Sequence, residues 1–291
     1  MQKQLYRQYE SKLHKQVLKL CHALELPLHD NVLGPRKYTN YQRVSLLVFF
    51  VRSRKALRDF VSELYESRWP VWLGLKDIPC KSTVHNWLCR FDLGFVRSLL
   101  EESVAGHEPE LMAVDATGID SWQRSRHYER RIGEPHVPYA KADVLVDTEN
   151  KLVYEHVLRM KPRHDVLGAT SMFKRLTSKH VLVLGDKGYD SEPLHSLAEQ
   201  QGLLLFAPVR ASSRIYPKGM HRKRCAMHQP ARKGMRSIAE SIIRSLKVRI
   251  GTLRSRLHYM KKREFAWHIL TYNLEVFAHL FAQLRWLIQS A

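Results

Sequence analysis

Apolar residues recur at helical spacing through the first third of the chain, and short apolar runs replace them further on. Val44, Leu47, Val48 and Val51 keep the i, i+3, i+4, i+7 period, and Leu57, Phe60, Val61 and Leu64 repeat it. A charged amphipathic helix over Tyr6 to Leu24 precedes them, a loop carries Pro27, Gly34 and Pro35, and the second helix starts near Thr39. After a Trp69-Pro70 turn and a break at Ile78-Pro79, Lys81-Ser-Thr-Val-His-Asn-Trp-Leu opens another helix with Ser82 or Thr83 as its cap. From Glu110 the period changes. Leu111–Gly118, Ala142–Val146, Leu152–Met160, Val181–Asp186 and Leu203–Val209 read as strands, with helices over Asp165–Leu176 (capped by Asp165) and Pro193–Gln201. The pattern predicts an α/β protein: an all-helical region over 1–106, then a mixed five-stranded sheet flanked by helices over 107–291. A Ser-, Lys-, Arg- and His-rich stretch at 211–234 reads as a short basic insertion, and apolar C-terminal helices over Leu253–Gln289 as a cover for the sheet.

Charge sharpens this picture. The 291 residues carry 48 Lys and Arg against 28 Asp and Glu, a net +20, with a pI near 10.0. Between Ala207 and Arg263 stand seventeen of those cations and a single acid, Glu240. Such a concentration implies a polyanionic partner, nucleic acid before membrane. The longest apolar run, Ser45–Val51, is far too short for a bilayer, and the N-terminus is polar, so the reading is a cytoplasmic protein with no membrane partner. Cys21, Cys80, Cys89 and Cys225 show no paired spacing and read as reduced thiols.

Glu240 sits in Arg232–Ile250, which reads as one amphipathic helix. At 100° per residue Arg236, Glu240 and Lys247 fall within about 40° of one another, beside an apolar stripe of Met235, Ile238, Ala239, Ile242 and Leu246. The plain reading of Glu240 is an ion pair with Arg236 or Arg244, four residues either way. The chemical reading depends on two upstream acids. Asp115 precedes Ala-Thr-Gly and Asp186 precedes Lys-Gly-Tyr, each at the expected end of a strand. Three carboxylates converging there form an oxygen-only donor set suited to Mg²⁺ or Mn²⁺. Asp120, Asp143, Asp147, Asp190 and Glu192 read instead as turn or surface residues. His221-x3-Cys225-x2-His228 has zinc-ligand types but no fourth ligand at finger spacing. Tyr189 and Trp122 read as packing aromatics, with base stacking as the rival. On the predicted helix after Cys80, Lys81, His85, Asn86 and Arg90 suit phosphates and base edges, which makes it a candidate recognition helix of a helix-turn-helix.

Ala113-Val-Asp-Ala-Thr-Gly118, Gly185-Asp-Lys-Gly-Tyr-Asp-Ser-Glu192 and Arg236-x3-Glu240-x6-Lys247 together resemble the DDE transposases of bacterial and archaeal insertion sequences. Arg163-His-Asp165 and Tyr272-Asn-Leu274 extend the resemblance, which spans Glu110 to Leu284. It implies an RNase H-like catalytic domain in which Asp115, Asp186 and Glu240 bind two divalent ions, Mg²⁺ or Mn²⁺. It also implies that Arg236 and Lys247 contact the transposon end, with Arg244 and Lys233 on the same basic surface. Where the best-known group of the family has a tyrosine, three residues before the arginine, this chain has Lys233. The interval from Asp186 to Glu240 excludes a large β-rich insertion domain. The activity implied is metal-dependent cleavage at the element's terminal inverted repeats and strand transfer into target DNA, by a homodimer on DNA. A non-catalytic DNA-binding descendant and a nuclease that never joins strands stand as alternatives.

Overall fold

A computed structural model describes residues 2–30, 36–121, 131, 140–161, 163–210 and 217–290; within it, side chains are described from residue 11 to 279. Trp122 lies outside the described residues. The chain divides into two compact units, residues 1–105 with 263–291, and residues 106–262.

The first unit is helical: α1 (Gln2–Ala23), α2 (Asn40–Ser53), α3 (Leu57–Glu66), α4 (Trp69–Trp72), α5 (Lys81–Arg90), α6 (Leu93–Ser103) and the part of a long C-terminal helix from Arg263 onward. Thr39 starts α2 with a reciprocal capping box. Its hydroxyl accepts from the Gln42 amide at 3.2 Å while Gln42 Oε1 accepts from the Thr39 amide at 2.8 Å. The apolar run Ser45–Val51 is core, as its composition requires, with Leu46, Leu47 and Val48 fully buried. Trp69 and Pro70 form a one-turn helix rather than an open turn, and Trp69 stacks on Phe49 with ring centroids 4.8 Å apart. Ala266, Trp267, Leu270, Leu274 and Ala278 belong to this helical core. Residues from Arg263 on therefore group with the N-terminal helices and not, as their position in sequence suggests, with the sheet.

The second unit is built on a mixed sheet, of six strands among the described residues. β1 (Leu111–Ser121), β2 (Ala140–Asp147) and β3 (Val153–Arg159) form an antiparallel meander; β4 (Val181–Leu184) and β5 (Leu203–Phe206) add in parallel on the other side of β1, in the order β3-β2-β1-β4-β5. The sixth, β6 (Thr252–Leu253), runs parallel to the far end of β1 at Asp120 and Ser121. Two residues are too few to leave a period, which is why only five strands are legible in the pattern. Around the sheet lie α7 (Asp165–Phe173), α8 (Glu192–Gln200), α9 (Met220–Met227) and α10 (Ser237–Ile250); α11 (His258–Ser290) is the C-terminal helix. The cap of α7 is His164, with Asp165 in its first turn. The buried face of α10, formed by Ala239, Ile242, Ile243, Leu246 and Ile250, packs on β1 and β2. No described helix is long and apolar enough to cross a membrane.

Candidate active site

Asp115 stands in the middle of β1, not at its end, because the polar stretch Asp115–Ser121 stays paired antiparallel to β2 as far as Ile119 opposite Ala140. What ends early is the parallel neighbour. β4 stops at Leu184, opposite Ala113, and the same offset carried two residues further sets Asp186 level with Asp115. The two carboxylates thus meet where β4 gives way to a turn beside a strand that continues, the kind of strand-end crevice in which open α/β sheets bind ligands.

The turn after Asp186 explains its own sequence. Asp186 caps a 3₁₀ turn over Lys187–Tyr189, its Oδ1 accepting from the Gly188 amide at 2.7 Å. A methyl group on Gly188 would lie 2.7 Å from that same oxygen, and one on Gly185 would lie 3.0 Å from the Cβ and ring of Tyr189. Each glycine leaves room for the residue it serves. Tyr189 is fully buried, so it packs and presents no face for a base. On the other strand, Asp115 Oδ1 accepts from the Ala116 amide at 2.8 Å.

Glu240 is placed differently. It lies on the first turn of α10, half exposed, and Arg236 Nη2 donates to its Oε1 at 2.5 Å. The predicted single helix over Arg232–Ile250 is a 3₁₀ turn (Lys233–Arg236) followed by α10. That turn touches β1 and β4, which brings Arg236 toward the aspartates, and Met235 is exposed instead of joining the apolar stripe. Burial, first, raises the Asp115 pKa; the Ala116 amide and Arg236 oppose the rise, and the charges of Asp186 and Glu240 add to it. Asp115 therefore feels both other acids and the arginine. Among the described residues, no three His, Cys, Asp or Glu side chains stand in a ready ligand cluster. Yet the donors are all hard oxygens and they repel one another, a combination that suits a divalent cation.

Arg244 and Lys247 are exposed on α10, and Lys233 is exposed with its ammonium on Gln229 Oε1. Lys233 and Arg236 line a cavity of about 430 Å³ beside Leu184, Gly185, Phe206 and Cys225. In the helical unit Lys81, His85 and Asn86 are exposed on α5, while Val84 and Trp87 are buried. The cap of α5 is Cys80, whose Sγ lies 3.1 Å from Ser82 Oγ and 3.2 Å from Thr83 Oγ1; neither Ser82 nor Thr83 is the cap. Arg90 is exposed and its guanidinium pairs with Asp30 at 2.8 Å, an acid that also holds Arg43 at 2.7 Å and Asn40 Nδ2 at 2.7 Å.

Several acids expected on the surface are structural. Asp143 is fully buried under α7, where Gly168 leaves it space, and takes a bidentate grip from Arg159 at 2.7 and 2.8 Å. Burial, opposed by Arg159, pushes its pKa up to about 6. Arg159 also donates to the carbonyls of Arg163 and His164, and Lys141 pairs with Asp165, tying β2 and β3 to the start of α7. Asp147 is a buried turn residue that accepts from the Glu149 and Asn150 amides. The side chain of Asp190 is fully buried against Arg222, and Glu192 accepts from the His221 and Arg222 amides. His221 bridges Glu192 at 2.8 Å and Glu199 at 3.0 Å, and Cys225 is buried against the Leu205 carbonyl, so this trio is not poised for zinc. The basic insertion contains an ordered helix, α9, pinned by these contacts. One signal for Asp143 was available: an acid inside the apolar run Ala142–Val146 requires a buried partner.

A family model described as the transposase DDE domain matches residues 106–274, more than half of the chain and the span that holds Asp115, Asp186 and Glu240. No curated protein is a match. Among solved structures, the cryo-EM structure of a piggyBac transposase synaptic complex with hairpin DNA aligns over 92% of this chain and 72% of that one, at 12% identity and a TM-score of 0.43. That likeness is too distant to bear on the site. The family match covers the sheet, Asp115, Asp186 and α10 together, so the chain belongs to the transposase DDE domain family.

Proposed function

We propose that this transposase cuts DNA at the ends of a mobile element of the insertion-sequence type and joins the freed ends to target DNA. Asp115, Asp186 and Glu240 would hold two Mg²⁺ or Mn²⁺ ions in an RNase H-like domain. The sheet order β3-β2-β1-β4-β5, antiparallel on one side of β1 and parallel on the other, supports that fold. The observation that carries the site is the placement of Asp186 just past the end of β4, beside the strand that carries Asp115, with Glu240 near enough to add to the rise of the Asp115 pKa. When bound, divalent ions supply activation of the attacking oxygen, first of water and then of the DNA 3′-hydroxyl, and neutralise the leaving oxygen.

The chain's own residues do the rest. The sheet fixes two carboxylates in register, and the Ala116 and Gly188 amides orient them. Arg236 holds Glu240 beside the site and offers a cation to a DNA phosphate as the carboxylate moves away. Lys247, Arg244 and Lys233 extend the positive surface along α10, and Lys81, His85 and Asn86 on α5 present donors to the end sequence. Element-end and target DNA are the double-stranded partners, synapsis of two ends requires a dimer on DNA, and the work is done in the cytoplasm. Affinity for DNA falls steeply with salt on this reading.

The purified protein tests the reading on pre-cleaved element ends with Mg²⁺ and a target plasmid. Joined products are expected. Cutting of intact ends without any joining would favour a nuclease, and binding with neither reaction would favour a DNA-binding descendant.

A further inference from the structure

The loop that carries Asp186 is gripped from outside by a cation at the start of the basic segment. Arg210 follows β5 by four residues, and its guanidinium reaches back across the Asp186 turn. Nε donates to the Lys187 carbonyl at 2.6 Å and Nη2 to the Gly188 carbonyl at 2.8 Å, with His164 Nε2 3.1 Å from Nη2. The Arg210 amide donates to Asp190 Oδ2 at 2.9 Å. Arg222 of α9 then grips the other side of Asp190, Nε to Oδ1 at 2.6 Å and Nη2 to Oδ2 at 2.8 Å. Although burial alone would raise the Asp190 pKa, Arg222 and the Arg210 amide hold it below the usual carboxylate value.

The peptide that orients Asp186 is thereby held at both ends. The Gly188 amide donates to Asp186 Oδ1, and the carbonyl of the same residue accepts from Arg210. Rotation of the turn would break the Asp186 contact and both Arg210 contacts together. A lysine at 210 would keep the charge but lose the planar fork that meets two carbonyls at once. These cations are engaged by protein oxygens, unlike the exposed Lys247 and Arg244, so their first task is internal.

We propose that Arg210 and Asp190 are positioning residues for the Asp186 carboxylate, with Arg222 locking Asp190, so that α9 and the metal-binding turn form one mechanical unit. The proposal rests on the reading of Asp186 as a metal ligand. Outer contacts of this kind set how tightly a ligand holds its ion, and their loss costs about 10- to 100-fold in metal affinity.

The test uses the full-length protein and Arg210→Ala, Arg210→Lys and Asp190→Asn, with melting curves confirming that each is folded. End-DNA cleavage is measured across Mg²⁺ concentrations, beside DNA affinity and hydrogen exchange of the 185–190 segment. In all three variants the Mg²⁺ needed for half-maximal cutting should rise roughly 10-fold or more, while the rate at saturating Mg²⁺ largely recovers. Amide exchange over 185–190 should speed up about 10-fold. Arg210→Lys should keep wild-type DNA affinity and still show the Mg²⁺ defect. Wild-type Mg²⁺ dependence in Arg210→Lys would reduce Arg210 to a charge for DNA and overturn the proposal. If the wild type itself does not cut, the ligand reading of Asp186 fails; unchanged exchange in Arg210→Ala and Asp190→Asn would separately show that there is no brace.

Discussion

The three candidate ligands divide into two that the sheet holds and one that a surface ion pair holds. Asp115 and Asp186 are half-buried, set by strand register and oriented by backbone amides. Glu240 has a side chain 53% exposed, on the outward face of a helix, and pairs with Arg236 at the start of that helix. A carboxylate fixed by backbone cannot turn away from its surroundings, so burial raises the Asp115 pKa and the charges of Asp186 and Glu240 add to that rise. The exposed one turns to the nearest cation. On the proposed reading, two of the three ligands are built into the fold and the third, Glu240, would exchange Arg236 for metal.

The largest effect expected from breaking this arrangement lies beneath the aspartates. Arg159→Ala leaves the Asp143 carboxylate buried and unpaired, and should cost about 3–5 kcal/mol in denaturant unfolding. Arg236→Ala removes only an exposed i,i+4 pair, worth about 0.3–0.5 kcal/mol, so its melting point should barely move while end cleavage falls. Equal destabilisation by the two changes would erase the distinction between built-in and recruited acids. Gly188→Ala comes next. The added methyl would crowd Asp186 Oδ1, costing about 1–3 kcal/mol and impairing cutting, and normal activity in that variant would show that the turn can relax around it.

Smaller and pH-dependent is the effect of Asp115→Asn on metal-free stability. A carboxyl whose folded pKa is raised contributes stability below its unfolded value and loses it as pH rises through the folded value. At neutral pH the amide should therefore melt no lower than wild type, and the difference should vanish near pH 4. The smallest effect concerns α9. Hydrogen bonds donated first to Glu199 and then to Glu192 raise the His221 pKa, with burial opposing, so the contact stabilises fully below the unfolded value and weakens as pH rises through the folded one. His195, stacked on His221 at 6.0 Å, and Arg222 and Arg224 are further charged or titratable groups near it among the described residues. Protection of Met220–Met227 relative to the intrinsic, base-catalysed exchange rate should fall with rising pH in the wild type and lose that fall in His221→Gln.

How far the sequence reveals this site follows the same division. The apolar runs at Leu111–Val114, Val181–Leu184 and Leu203–Phe206 announce buried strands, and the spacing within Gly185-Asp-Lys-Gly-Tyr189 encodes its turn. The second half of β1 is polar and glycine-bearing, and only its antiparallel partner makes it a strand, so Asp115 reads as an end residue when it is central. The roles of Asp190, Glu192 and Arg210 arise from partners about twenty or more residues away, which no local pattern records. α9 carries four cationic or polar positions and one buried Cys225, too little buried apolar surface to announce a helix held by ion pairs. The C-terminal apolar face is plain in the sequence, but which core it serves is not.

The most direct test sets Asp186→Asn and Glu240→Gln beside the wild type, with cleavage of an end-containing duplex in Mg²⁺ and binding of the same duplex measured on the same preparations. Both variants should bind at least as well as wild type, because each removes a negative charge facing phosphate, and neither should cut detectably. Divalent metal should raise the wild-type melting point and raise that of both variants less. Near-normal cutting by either variant would remove that residue from the site and contradict the account.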